Sequence, residues 1–180
     1  MSAFEEFLAK VLSPIQAEGR EGRSGAGRVG PEEFVAHPSK TIFLESNVMA
    51  NLGIKEAFSR YGATLRNVQW SVSAWAPDGS LVLSLWQHHT RKGIAGTLEF
   101  AGCANRWQGP GNKEFRENVA KAFGSGESVR LVIVRTDEIA RVEAGEDASK
   151  IRKDFFLRDD LIGKVIEWDG ENYAVRFTKL

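Results

Sequence analysis

Two short alternating segments separated by a turn constrain this chain more than any other feature. Residues 68–75 place Trp70, Val72 and Ala74 on one side and Ser71, Ser73 and Trp75 on the other; residues 81–86 keep Leu81, Leu83 and Leu85 in phase. A side-chain period of two belongs to a strand with one buried face. Between them lies Pro77-Asp78-Gly79. Proline presets φ and glycine accepts positive φ, so the pair is predicted to form a hairpin.

The same pattern recurs along the chain. Strands are predicted over 41–44, 96–102, 129–135, 154–158, 161–168 and 173–177, with Asp169-Gly170 starting the turn between the last two. Residues 129–135 are the richest apolar run and are expected to be central. A helix is predicted over 2–12, where Phe4, Phe7, Leu8, Val11 and Leu12 follow helical spacing and Ser2 and Glu5 match a capping box. Residues 46–61 read as a helix or tight turn, with Ser46-Asn47 as a cap. A third helix is predicted over 112–123, burying Phe115, Val119, Ala122 and Phe123, capped by Asn112 and ended by Gly124. Seven to eight strands with two or three short helices predict an α+β, β-rich fold: a mostly antiparallel pseudobarrel, in one domain spanning 1–180.

A chain of 180 residues can bury a core without disulfides or a metal staple. Cys103 is the one cysteine, which fits a reducing cytoplasm. No stretch approaches the roughly 20 apolar residues of a membrane span. Glu5, Glu6 and Lys10 interrupt the start, so no secretory signal is read there. A cytoplasmic location without membrane attachment is expected.

The metal-ligand candidates are His37, His88, His89 and Cys103, without Cys-x-x-Cys or His-x-x-x-His spacing. On a strand, adjacent His88 and His89 would point to opposite faces, so no metal or other cofactor is expected. A metal-dependent nuclease needs clustered carboxylates. The nearest candidates are Asp78, in a turn, and Glu99, with no lysine following it. Cys103, beside glycine and alanine at a strand end, reads as a small buried residue. Residues 18–30, rich in glycine and arginine, form an expected flexible loop. No Gly-Lys-Ser/Thr closes it, so it is not a phosphate-binding P-loop. No catalytic residue is assigned.

Charge is more informative. Lys plus Arg and Asp plus Glu each total 24, a net charge of zero. Yet the cations Arg60, Arg66, Arg91, Lys92, Arg106, Lys113 and Arg116 outnumber Asp78, Glu99 and Glu114 in the same stretch, and 137–171 is acidic. Two polar loops concentrate the excess. One runs His88-His89-Thr90-Arg91-Lys92-Gly93; the other runs Asn105-Arg106-Trp107-Gln108-Gly109-Pro110-Gly111-Asn112-Lys113, ahead of a helix. Guanidiniums, lysines and helix N-termini suit phosphates, amides suit base edges, and Trp107 suits stacking. Packing of Trp107 onto the core is the competing reading.

The order of these pieces resembles the effector, or recognition, domain of EcoRII-type restriction enzymes, a pseudobarrel shared with plant B-three-type transcription-factor domains. Thr41-Ile42-Phe43-Leu44-Glu45-Ser46, the hairpin over 69–86, and Arg91-Lys92 followed by Arg106-Trp107-Gln108-Gly109 carry the likeness. It implies a DNA-binding barrel whose projecting arms grip the major groove, with Arg91, Lys92 and Arg106 at contacting positions.

Three functions remain open from the sequence. The leading one is a DNA-binding recognition module, related to restriction or phage defence. It would present His88, His89, Arg91, Lys92, Arg106, Trp107, Asn112 and Lys113, with Arg23 and Arg28 as an arm, to duplex DNA, beside a separate catalytic subunit. The second is a small metal-dependent nuclease or hydrolase using Asp78, Glu99 and a histidine. The third is a protein-interaction module using the acidic stretch from Asp137 to Asp160.

Overall fold

The strand Val129–Arg135 is apolar in both phases, and the fold is arranged around that fact. Val129, Leu131 and Ile133 face one core cluster, Val132 and Val134 the other. A strand apolar on both sides must be covered on both. The computed structural model describes residues 52–180, within one unit of the chain that spans residues 41–180. The expected helix over 2–12, the 18–30 loop with Arg23 and Arg28, His37, Ser46, Asn47 and the expected strand over 41–44 lie outside the described residues.

In chain order the elements are α1 (Ile54–Ser59), β1 (Ser73–Trp75), β2 (Leu81–Trp86), β3 (Thr90–Arg91), β4 (Leu98–Cys103), α2 (Pro110–Ser125), β5 (Val129–Arg135), α3 (Ile139–Glu143), β6 (Asp154–Leu157), β7 (Leu161–Trp168) and β8 (Asn172–Lys179). The sheet runs β1-β2-β5-β7-β8-β4-β3, with β6 also paired to β5. Only β2 and β5 are parallel, in register from Leu81↔Val129 to Trp86↔Val134. Parallel neighbours need a crossover, and β3, β4 and α2 fill it. The α+β, β-rich, mostly antiparallel expectation holds. Closure does not: among the described residues β1 and β3 end the order unjoined, so the sheet is not a closed barrel.

The first cluster gathers Leu81, Leu83, Leu85, Phe100, Leu131, Val175 and Phe177 beneath Phe115, Val119 and Ala122 of α2. Phe100 and Phe177 meet edge to face at 6.0 Å. The second places Ala57 and Phe58 of α1 over Val82, Val132, Val134, Phe155 and Leu157.

The expected hairpin forms. Ser80 and Gly79 close its turn through the bonds Ala76 N–H to Ser80 O and Gly79 N–H to Ala76 O, with Gly79 at φ 84°. Its first strand is shorter than the alternation suggested. Ser71 N–H bonds back to Asn67 O, Asn67 Oδ1 accepts from Gln69 N–H, and Ser71 Oγ accepts from Asn67 N–H. Local side-chain bonding competes with the sheet and turns 67–71 into a loop. Helix α2 also begins and ends two residues beyond its expected bounds. Pro110 occupies its first turn, where a missing N–H costs nothing, and Gly126 at φ 70° closes it.

Gly163 packs β7 against the core. A Cβ there would lie 2.4 Å from the Phe177 ring and 2.9 Å from the Arg176 carbonyl. Gly163→Ala is expected to cost about 1–3 kcal/mol by overpacking, and Phe177→Ala about 3–5 kcal/mol by opening a cavity. Urea denaturation midpoints at unchanged slope check both.

Candidate functional site

The two polar loops meet at one carboxylate. Gln87–His89 forms a single 3-10 turn at the end of β2 instead of continuing the strand. The turn brings consecutive histidines to the same side, which overturns the expectation of opposite faces; their rings lie 4.5 Å apart, nearly edge-on. His89 Nε2 hydrogen-bonds Glu143 Oε1 at 2.7 Å, and His88 Nε2 lies 3.3 Å from the same oxygen. The other oxygen, Oε2, accepts from Arg106 in the second loop. Glu143 therefore ties residues 87–89 to residues 104–106.

Sequence reasoning missed Glu143, which sat in the acidic stretch from Asp137 to Asp160 weighed as a protein-interaction surface. Its position comes from how α3 ends. Gly145 N–H bonds Val142 O and Glu146 N–H bonds Arg141 O, a helix end that needs φ 74° at Gly145. A Cβ on Gly145 would also lie 2.6 Å from the Arg106 carbonyl. Close approach of α3 to the second loop thus depends on that glycine. Burial raises the Glu143 carboxyl pKa, but the His89 hydrogen bond and the charges of His89, Arg106 and His88 together hold it below its usual value. Burial, and then electrostatic repulsion from the adjacent His89 ring, push the His88 imidazole below its usual pKa.

Arg91 has a different set of partners. It pairs in register with Glu99, which pairs in register with Arg176, which pairs with Lys164. This row crosses β3, β4, β8 and β7 on the face away from Phe100. Glu99 is 3% exposed and accepts from Arg91 Nε at 3.0 Å and Arg176 Nε at 2.5 Å. Arg91 also grips Glu167 with both terminal nitrogens. Glu167 reaches that face because the register slips between Val165 and Glu167; without the bulge it would share the core side with Val165. Gly93 lies so close that a Cβ would fall 2.6 Å from the Glu99 carboxyl.

The second loop is similarly anchored. Trp107 is half-buried against Phe115, with ring centroids at 6.0 Å, so its indole packs on the core. Asn112 is buried and donates from Nδ2 to the Ala104 carbonyl at 2.6 Å. Arg116 donates to Asn105 Oδ1 and the Gly170 carbonyl. Gly111 carries no side chain because a Cβ would sit 2.1 Å from the Trp70 carbonyl. Around these residues a shallow depression of about 400 Å³ is lined by Asn105, Trp107, Gln108, Gly109, Asn112, Lys113 and Arg116. Lys92, Gln108 and Lys113 are exposed; the nearest carboxylate partner of Lys113 is Glu117, at 4.0 Å.

The nuclease carboxylates do not assemble. Asp78 Oδ1 accepts from the backbone and hydroxyl of Ser80, which lower its pKa. Glu99 is held between two guanidiniums. Among the described residues the one cluster of three metal-ligating types is His88, His89 and Glu143. Cys103 stands opposite Asn172 on β4, outside that cluster.

No protein-family model and no curated protein matches the chain. Among solved structures it is similar to KRYPTONITE, from a crystal structure of that protein in complex with mCHH DNA, H3(1-15) peptide and SAH, at 13% identity and a TM-score of 0.29. The match covers 74% of this chain and 26% of that chain, so the chain spans about a quarter of the length of that protein.

The Glu99 hydrogen bond to Arg176, then that to Arg91, holds its carboxyl below the usual range. A depressed carboxyl stabilises the fold above its unfolded pKa of about 4.3, and that contribution is lost as pH falls through the folded value. Glu99→Gln is expected to cost about 1–2 kcal/mol at neutral pH, because both guanidiniums stay about a third exposed and Arg91 keeps Glu167, and to flatten the loss of stability below pH 4.3 or so. Denaturation midpoints of both proteins across that acid range measure this.

Proposed function

We propose that the domain binds duplex DNA through the surface formed by its two polar loops. The observation that supports this reading is the Glu143 clamp: His88 and His89 from one loop and Arg106 from the other share one carboxylate. The loops on either side of β4 are thereby joined into one surface by a residue far along the chain. Buried Asn112 and half-buried Trp107 hold the second loop to α2. The groups presented outward are Lys92, Gln108 and Lys113, with the partly exposed guanidiniums of Arg91 and Arg106 beside them.

Each has a place in such a contact. Lys92 and Lys113 neutralise phosphates, which supplies affinity and orientation without sequence information. Gln108 is the amide suited to an adenine edge. His88, His89 and Asn112 position the loops, and Arg23 and Arg28 are proposed to add phosphate contacts. A recognition role beside a separate catalytic subunit, in restriction or phage defence, suits a module with this division of labour. The acidic stretch is a weaker candidate for a partner surface, because Glu138 and Glu146 bind Arg141, Asp154 pairs with Arg135, and Asp160 binds Arg158.

A gel-shift titration with duplex DNA tests the reading. Complex formation is expected at low ionic strength and should weaken steeply with salt. Lys92→Ala and Lys113→Ala are each expected to reduce the slope of log K against log salt by about one. Absence of any salt-sensitive shift, or an unchanged slope in the double variant, would overturn it.

A further inference from the structure

The Glu143 clamp contains a conflict that DNA contact does not resolve. Two imidazole nitrogens, His89 Nε2 and His88 Nε2, face the single oxygen Oε1. Only the His89 nitrogen hydrogen-bonds it. His88 Nε2 is buried and has no hydrogen-bond partner among the described residues. If that nitrogen carries the ring proton, a buried donor lies 3.3 Å from Oε1 without hydrogen-bond geometry. If it carries the lone pair, two lone pairs face each other. Either arrangement costs free energy that a cation among the three donors removes.

We propose that His88, His89 and Glu143 form a binding site for a divalent transition-metal cation, zinc being the best match, through both Nε2 atoms and Glu143 Oε1. The donor set favours zinc over magnesium or calcium, which take oxygen ligands. Zinc accepts two imidazoles and a carboxylate and leaves a fourth position for water. The three donors lie within 4.8 Å of one another. Bonds of about 2.1 Å in a tetrahedron set donors roughly 3.4 Å apart. The His88–Glu143 separation is already 3.3 Å. The His89–Glu143 contact of 2.7 Å opens by about 0.7 Å, within reach of small side-chain rotations. Arg106 on Oε2 holds Glu143 so that Oε1 alone faces the histidines, as an outer partner orients a metal ligand. The two histidine side chains are 16% and 17% exposed and that of Glu143 37%, so the cluster lies close to the surface.

The test uses the full chain without nucleic acid, so its outcome is independent of DNA binding. Zinc alone is titrated by calorimetry and cobalt alone by visible absorption. One cation per chain is expected, with cobalt bands that lack a thiolate charge-transfer component. His88→Ala, His89→Ala and Glu143→Gln are each expected to weaken zinc binding at least a hundredfold, and Arg106→Ala about ten- to a hundredfold. His37→Ala and Cys103→Ala should leave it unchanged. Circular dichroism checks folding of each variant; where an alanine variant unfolds, His88→Gln or His89→Gln replaces it. The proposal fails if wild-type chain binds no stoichiometric zinc, if binding survives loss of either histidine in a folded variant, or if a thiolate band appears and vanishes in Cys103→Ala.

Discussion

β5 is bonded along both edges and covered on both faces. On one edge it runs parallel to β2; on the other it meets β6 over Val132 to Arg135 and β7 at Val129. Sharing one edge between two strands redirects the sheet. β6 stays over the cluster beneath α1, and β7 leads into the antiparallel half with β8, β4 and β3. Parallel pairing with β2 also forces the long crossover, and the crossover carries both polar loops. The placement of the candidate surface is thus a consequence of a strand that can tolerate water on neither side.

Much of this frame was legible because it rests on local patterning. The bounds expected for β2, β5 and β7 coincide with those observed, since β2 and β5 are apolar runs and β7 alternates up to the Asp169-Gly170 turn. The Asp169-Gly170 turn was legible for the same reason: Asp169 accepts from Glu171, from both nitrogens of Asn172, and Gly170 takes φ 96°. Residues 68–75 alternate just as well, yet Asn67 and Ser71 satisfy the backbone locally and only Ser73–Trp75 joins the sheet. Alternation reports a possible buried face; it does not report a local competitor for the same N–H groups.

The site was legible in half. Both loops carried their chemistry in sequence, but the carboxylate joining them did not. Glu143 lies 54 residues from His89 on a five-residue helix, too short for a readable apolar period. Gly145 signals only that a helix could end there. That the end abuts the Arg106 carbonyl is a tertiary fact. The relative direction of the two histidines was hidden for a related reason: strand geometry would set adjacent side chains on opposite faces, whereas the chain after Trp86 makes a 3-10 turn.

The neutral total charge takes on a physical meaning once pairings are known. Glu99 serves Arg91 and Arg176, and Glu143 serves two histidines and Arg106. These carboxylates do more than cancel charge: they fix where the guanidinium and imidazole groups stand. A long cation immobilised on binding costs about 0.5–1.5 kcal/mol of side-chain freedom, and a cation held beforehand avoids that cost. The same pairing weakens the field a phosphate would feel. In the proposed DNA contact, long-range attraction would come from Lys92 and Lys113, which have weak or no carboxylate partners among the described residues, while Arg91 and Arg106 would contribute position. A DNA contact of the kind proposed would gain selectivity for shape at some expense of raw electrostatic affinity, the trade expected where the net charge is zero.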